Sequence, residues 1–251
     1  MHYDFLEKMT IDGGCDSLTN FSLDFFSKLR VLVLRKCQNL RRISQQQAHN
    51  HLKELKIYNC LQFESFPNEG LSAPWLKILA IAGSDKLKLL PKRMQILLPS
   101  LTELWIIDCP EVEMFPDEGL PSNIKEVSLS SLKLITSLRE TLDANTCLES
   151  LCVTNVNVEC FPEESLLPHS LPSLRICGCP NLKKLEYKGL CHLSSLTLFK
   201  CPNLQHLPEE GLPISISYLQ IWDCPLLKQR CQNPEGEDWG KIAHIERLIV
   251  G

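Results

Sequence analysis

Thirteen cysteines stand in a chain of 251 residues, a thiol content that raises disulfide or zinc chemistry at once. Zinc needs four ligands converging on one point, usually through pairs such as C-x2-C. Only Cys177-x-Cys179 comes close, and alternation along an extended strand would send those two side chains into different surroundings. The other positions follow a rule. Cys37, Cys60, Cys109, Cys179, Cys201 and Cys224 each lie three residues behind the last apolar residue of an apolar-x-x-apolar-x-apolar phrase, and Cys15 follows the same phrase after a one-residue insertion. A thiol repeated at one slot is expected to be a small buried group whose weak donor meets carbonyls of the turn leaving a strand. These seven are read as a structural cysteine row, with no disulfide and no metal. The paired acids of Pro162-Glu163-Glu164 and Pro208-Glu209-Glu210 could suggest general acid/base work. They recur at one phase of a repeat, beside Pro67-Asn68-Glu69-Gly70-Leu71 and Pro116-Asp117-Glu118-Gly119-Leu120. The expected role is therefore architectural: proline fixes φ, the acids suit the first turn of a short helix, glycine closes it and leucine pins it to the core. The seven histidines, His49 and His51 among them, are scattered and form no metal site or Ser/His/Asp constellation. No catalytic, cofactor-binding or metal-binding residue is assigned, and the chain is expected not to be an enzyme.

The element that would position these residues is a frame returning along nearly the whole chain. It reads Leu52-x-x-Leu55-x-Ile57-x-x-Cys60, then Leu101-x-x-Leu104-x-Ile106-x-x-Cys109, then Leu193-x-x-Leu196-x-Leu198-x-x-Cys201. The second anchor falls at Met9, Leu32, Leu55, Leu79, Leu104, Val127, Leu151, Leu174, Leu196 and Leu219, in steps of 22 to 25 residues, and Ile245-x-x-Leu248-x-Val250 closes the series. This is the leucine-rich-repeat signature. The last two anchors are two residues apart, the strand period, so both face the core. The expected fold is an α/β repeat solenoid, a leucine-rich-repeat horseshoe. Its parallel β-sheet lies on the concave face, with short helices, 3-10 turns or loops on the convex face. One continuous solenoid is expected over residues 1–251, with about ten repeats and a C-terminal remnant or cap at 231–251. The chain opens almost inside a repeat, at Leu6-x-x-Met9-x-Ile11, so an N-terminal cap is expected to be missing. The frame slips in one region. Ser84 replaces the cysteine and keeps a donor, Leu132 and Val156 do not, and looser geometry is expected across 128–161.

Bulk properties exclude several function classes. The net charge of −4 offers no electrostatic reason to bind nucleic acid. Met1-His2-Tyr3-Asp4-Phe5-Leu6-Glu7-Lys8 lacks the basic and apolar regions of a secretory signal, and no apolar run is long enough to span a membrane. A cytoplasmic, intracellular location with reduced thiols is expected.

If the anchors face inward, the residues between them form the exposed strand face. Val31, Val33, Glu54, Lys56, Tyr58, Ile78, Glu103, Trp105 and Ile107 fall on four consecutive strands, with Ala80 and Ala82 among them. Arg175 and then Phe199, Tyr218 and Trp222 follow nearer the C-terminus. Apolar and aromatic clusters of this kind are candidates for binding a protein partner. The second aromatic group could equally shield the end of the core.

The wording of the repeats resembles the C-terminal leucine-rich region of plant coiled-coil-type nucleotide-binding leucine-rich-repeat disease-resistance proteins. The resemblance rests on Cys179-Pro180-Asn181-Leu182, Cys201-Pro202-Asn203-Leu204 and Cys224-Pro225-Leu226-Leu227, on the Pro-x-Glu-Gly-Leu returns, and on the ending from Cys231-Gln232-Asn233-Pro234 to Trp239-Gly240-Lys241-Ile242. It spans essentially the whole chain. It implies a recognition module of an intracellular immune receptor, serving defence. Such a module would sense a pathogen effector or a guarded host protein, or hold the receptor's own nucleotide-binding domain inactive. ADP or ATP would belong to that separate domain, since no G-x-x-x-x-G-K-[ST] loop occurs here. The alternative is a leucine-rich scaffold or substrate adaptor, for example one serving ubiquitin ligation.

Overall fold

The computed structural model describes residues 3, 5–142, 148–232 and 234–251. Met1, His2 and Asp4 of the opening segment and Asn233 of the closing one lie outside the described residues. So do residues 143–147 in the middle of the irregular region. The chain divides into two compact units: Met1–Val127 with Glu140–Cys147, and Ser128–Arg139 with Leu148–Gly251.

Each unit is a solenoid of leucine-rich repeats with one parallel strand per repeat. In the first unit the strands are β1 (Lys8–Asp12), β2 (Val31–Arg35), β3 (Glu54–Tyr58), β4 (Ile78–Ala82) and β5 (Glu103–Ile107), each paired with the next. Strand β6 (Glu126–Leu129) carries the boundary between the units. The second unit holds β7 (Ser150–Thr154), β8 (Ser173–Cys177), β9 (Ser195–Phe199), β10 (Tyr218–Trp222) and β11 (Arg247–Val250), also parallel neighbours in order. The pairing has no register slip within β1–β5 or within β7–β11. Leu32, Leu55, Leu79 and Leu104 align, as do Leu174, Leu196, Leu219 and Leu248. Alternation then places every second residue in the core, and Leu32, Leu34, Leu55, Ile57, Leu196 and Leu198 are all fully buried. The closing segment supplies β11 as a real strand and stacks Ile242 and Ile245 into the core.

The connections between strands are short helices, 3-10 turns and loops, but the Pro-x-Glu-Gly phrases do not open helices. In Pro67–Gly70, Pro116–Gly119 and Pro208–Gly211 the glycine N–H donates to the proline carbonyl at 2.9, 2.9 and 3.0 Å, so each is a single β-turn. A helix would need several such bonds in succession, and the leucine that follows is already drawn into the core. Gly70 is at φ 101, and a Cβ there would lie 2.4 Å from the Lys92 carbonyl oxygen. The irregular stretch holds a departure of the opposite kind. Leu132–Thr141, designated α1, is the longest helix among the described residues and buries Leu134, Ile135 and Leu138. Leu132, which cannot donate as a cysteine would, opens this helix instead of a turn.

Candidate protein-recognition face

Nine of the eleven sheet strands, all but β6 and β11, are followed by a residue in the left-handed region. Gly13, Lys36, Asn59, Gly83, Asp108, Asn155, Gly178, Lys200 and Asp223 all have φ between 50 and 66. Seven of these are Gly, Asn or Asp, the residue types that tolerate this conformation. The kink keeps the backbone N–H in the sheet direction: Lys36 donates to the Tyr58 carbonyl at 2.9 Å, Asn59 to Ala82 at 2.7 Å, and Lys200 to Trp222 at 3.0 Å. It also turns the next side chain inward, and in six of the nine that next residue is the cysteine, with Ser84 and Val156 in the same place after Gly83 and Asn155.

The cysteine slot is thereby explained. Each thiol donates back to the strand-end carbonyl two residues earlier: Cys60 to Tyr58 at 3.6 Å, Cys109 to Ile107 at 3.4 Å, Cys201 to Phe199 at 3.5 Å and Cys224 to Trp222 at 3.4 Å. Cys60 and Cys201 also face the carbonyls of Leu34 and Ile176 in the preceding repeat, at 3.7 and 3.9 Å. The cysteine carbonyl then opens a β-turn, accepting from Phe63, Val112 and Leu204. Proline at the second position of Cys109-Pro110 and Cys201-Pro202 presets that turn. Burial pushes the Cys37 thiol up to about 12 and Cys109 to about 11. The hydrogen bond with Cys179, then burial, raises Cys201 to about 11, and the same contact lowers Cys179. Except for that lowering, these are protonated, poorly nucleophilic groups at neutral pH. The twelve described cysteines are free thiols, and among the described residues no three of Cys, His, Asp and Glu gather into a metal cluster.

Two expectations for this slot need correction. Cys15 is exposed. Its insertion is the pair Gly13-Gly14, both at positive φ, which carries the thiol away from the buried row. Ser84 is fully buried in the slot, but its hydroxyl finds no hydrogen-bond partner. The shorter Cβ–O bond does not reach the carbonyl that sulfur reaches. A row of amides two residues past the cysteine was not anticipated from the sequence. The side chains of Asn39 and Asn203 donate to the carbonyls of Asp16 and Pro180 in the preceding repeat, both at 2.7 Å. The repeated Asn in Cys-x-Asn-Leu and Cys-Pro-Asn-Leu was the available signal.

The strand-face residues expected to bind a partner are assembled by the register. In the first unit three rows cross the strands: Val31, Glu54, Ile78, Glu103; then Val33, Lys56, Ala80, Trp105; then Arg35, Tyr58, Ala82, Ile107. All are half-buried except Arg35, which is exposed, and Ala80, which is fully buried between its longer neighbours Lys56 and Trp105. Ala80 therefore adds no surface. Lys56 binds Glu54 at 2.7 Å, and the Arg35 guanidinium lies 5.4 Å from the Tyr58 ring centre. These contacts fix side chains that would otherwise lose entropy on binding. In the second unit Arg175 shares a row with Thr197 and Gln220, and Phe199 shares one with Cys177 and Trp222. Arg247 lies over the Tyr218 ring at 5.5 Å, and Lys200 over Phe199 at 5.0 Å. Cys152 and Cys177, which stand outside the repeat slot, meet at 3.8 Å on this face. Their mutual hydrogen bond, and then burial, push the Cys177 thiol up.

No family model matches the chain. The chain is 36% identical over 261 residues, 99% of its length, to a putative disease resistance protein of Arabidopsis thaliana. It spans 18% of the length of that relative. Among solved structures, the pneumococcal vaccine antigen PcpA aligns with 98% of this chain and 79% of its own, at 13% identity and a TM-score of 0.33, too low to support an argument. The repeat frame, the parallel-stranded solenoid and the plant relative agree. The chain is a leucine-rich-repeat solenoid similar along its length to a plant disease resistance protein. No helix among the described residues is long and apolar enough to cross a membrane.

Proposed function

We propose that this solenoid is the non-catalytic recognition region of a plant intracellular immune receptor. It takes a protein partner on the first unit's strand face. The partner is a pathogen effector, a guarded host protein or the receptor's own nucleotide-binding domain. The observation that carries the reading is the register that sets Tyr58 and Ile107 in one row on either side of the small Ala82, with Trp105 two residues before Ile107 on the same sheet. Glu54, Lys56 and Glu103 border them on the same strands. Rigid aromatic and aliphatic side chains supply affinity, and the bordering charges set orientation. Arg175, Phe199, Tyr218 and Trp222 form a lesser candidate surface in the second unit.

The test joins this chain to the nucleotide-binding and N-terminal modules that the resemblance implies. Cell-death signalling is then compared with and without effector. Trp105→Ala and the double variant Tyr58→Ala/Ile107→Ala are expected to lose the response at normal protein level if the face senses a ligand. They are expected to signal constantly if the face restrains the receptor. Wild-type behaviour in both variants would refute the assignment.

A further inference from the structure

A second surface of the first unit lies at the edge where the chain enters the strands. Glu7, Arg30, Lys53, Lys77, Thr102 and Lys125 each precede a strand. Their backbones are joined in a single run: Arg30 N–H to the Glu7 carbonyl at 2.7 Å, Lys53 to Arg30 and Lys77 to Lys53 at 2.8 Å, Thr102 to Lys77 and Lys125 to Thr102 at 2.9 Å. Parallel strands stand about 4.8 Å apart, so Arg30, Lys53 and Lys77 are stacked cations on three successive rungs. Like charges so close repel one another, a cost the fold carries without return. Arg30 is relieved by Glu7 at 3.5 Å. Lys53 and Lys77 have no ion pair among the described residues. The corresponding second-unit positions, Glu149, Pro172, Ser194, Ser217 and Glu246, hold no cation.

Beside this row is a cleft of about 610 Å³ whose lining includes Phe5, Lys28, Arg30, Lys53 and Trp75, with Glu7, the partner of Arg30, its one carboxylate. Phe5 is 81% exposed and Trp75 59%, although both belong to a unit with ample core to cover them. We propose that this edge is a docking site for an acidic peptide segment of a partner protein. Its carboxylates would lie along Arg30, Lys53 and Lys77, and an apolar side chain would enter between Phe5 and Trp75. A nucleic acid fits less well. The next residues along the strands include Glu54, Glu103 and Glu126, which would repel a continuous phosphate backbone. Discrete carboxylates on a peptide can avoid them. This surface is separate from the strand face bearing Trp105, so either assignment can fail alone.

The test is fluorescence anisotropy on the full chain with a short labelled Asp/Glu-rich peptide carrying one central leucine. A peptide with serine at every acidic position is the control. The acidic peptide is expected to bind, the serine peptide not, and binding should weaken with added salt. Lys53→Glu/Lys77→Glu should weaken it by roughly tenfold or more, and Trp75→Ala by at least about threefold. Lys183→Glu/Lys188→Glu makes the same change of net charge at exposed second-unit lysines and should leave it unchanged. The proposal is overturned if the wild type does not prefer the acidic peptide or binds it independently of salt. It is equally overturned if the two double reversals are indistinguishable, or if an oligouridylate of equal charge binds more tightly.

Discussion

A cysteine in the repeat slot does three things within a few ångströms. It fills a small volume, donates to the strand-end carbonyl, and opens the following turn. A larger apolar residue could do only the last. Cys109→Leu or Cys201→Leu should therefore cost roughly 1–3 kcal/mol through overpacking and a lost donor, read as a lower urea midpoint. Ser84 allows the reverse change. Its buried hydroxyl is unsatisfied, and Ser84→Cys should raise stability by about 0.5–1.5 kcal/mol by restoring the slot's chemistry. An unchanged or lower midpoint would count against the sulfur-specific account. His49 shows what composition cannot reveal. It is buried, its Nε2 donates to the Phe26 carbonyl at 2.8 Å, and its Nδ1 accepts from the Leu52 N–H at 3.1 Å. Burial, only partly offset by the hydrogen bond to the Phe26 carbonyl, pulls its pKa below the ordinary 6.5. In the unfolded chain the ring takes a proton near 6.5, while in the folded chain it does so only at lower pH. The contribution of His49 is thus complete above about pH 6.5 and declines as pH falls toward the folded value. Urea midpoints measured from about pH 7.5 to about pH 5 should show that decline, and His49→Gln should remove its share of the slope.

At the scale of elements, the strands were legible because their signal is a periodic apolar pattern repeated many times. Each anchor pair, such as Leu55 and Ile57, is buried as the period requires. The returns were legible only as turns of some kind. Pro67-Asn68-Glu69-Gly70 is compatible with a first helical turn or a lone β-turn. What decides is Leu71 being pulled into the core immediately afterwards, a tertiary fact. The left-handed strand ends were hidden because Lys36 and Lys200 share the role with Gly83 and Asn59. The strand face was legible as a list of positions, but Ala80 is covered by its row neighbours, and that emerges only from the register. Gly70 tests the turn. With φ at 101 and the Lys92 oxygen 2.4 Å from where a Cβ would stand, Gly70→Ala should destabilise by at least about 1 kcal/mol in chemical denaturation. Strand β1 tests the stacking. Met9 and Ile11 are half-buried, whereas Leu32 and Leu34 one repeat on are fully buried. Amide exchange should be fastest over roughly the first repeat and slower in β3 to β5. Equal protection throughout would mean that β1 is covered as well as its neighbours.

At the scale of the whole molecule, two tryptophans on strand faces invite the same reading but have different surroundings. Trp105 stands beside buried Ala80 in its row, on a strand whose anchors Leu104 and Ile106 carry the core without it. Trp222 is 46% exposed at the end of β10, and the terminal Gly251 lies against its ring, donating its N–H to the Ile221 carbonyl at 2.9 Å. Removing the first indole should take away binding surface. Removing the second should loosen the packing of the closing segment. Trp105→Ala is therefore expected to weaken a partner by about 2 kcal/mol or more while leaving thermal unfolding nearly unchanged. Trp222→Ala is expected to lower stability by about 1 kcal/mol, with faster amide exchange over β11, while partner affinity is retained. Measuring both quantities for both variants separates recognition from closure. Loss of partner affinity in Trp222→Ala at undiminished stability would move the binding surface to the second unit, where Phe199 and Tyr218 would become its neighbours.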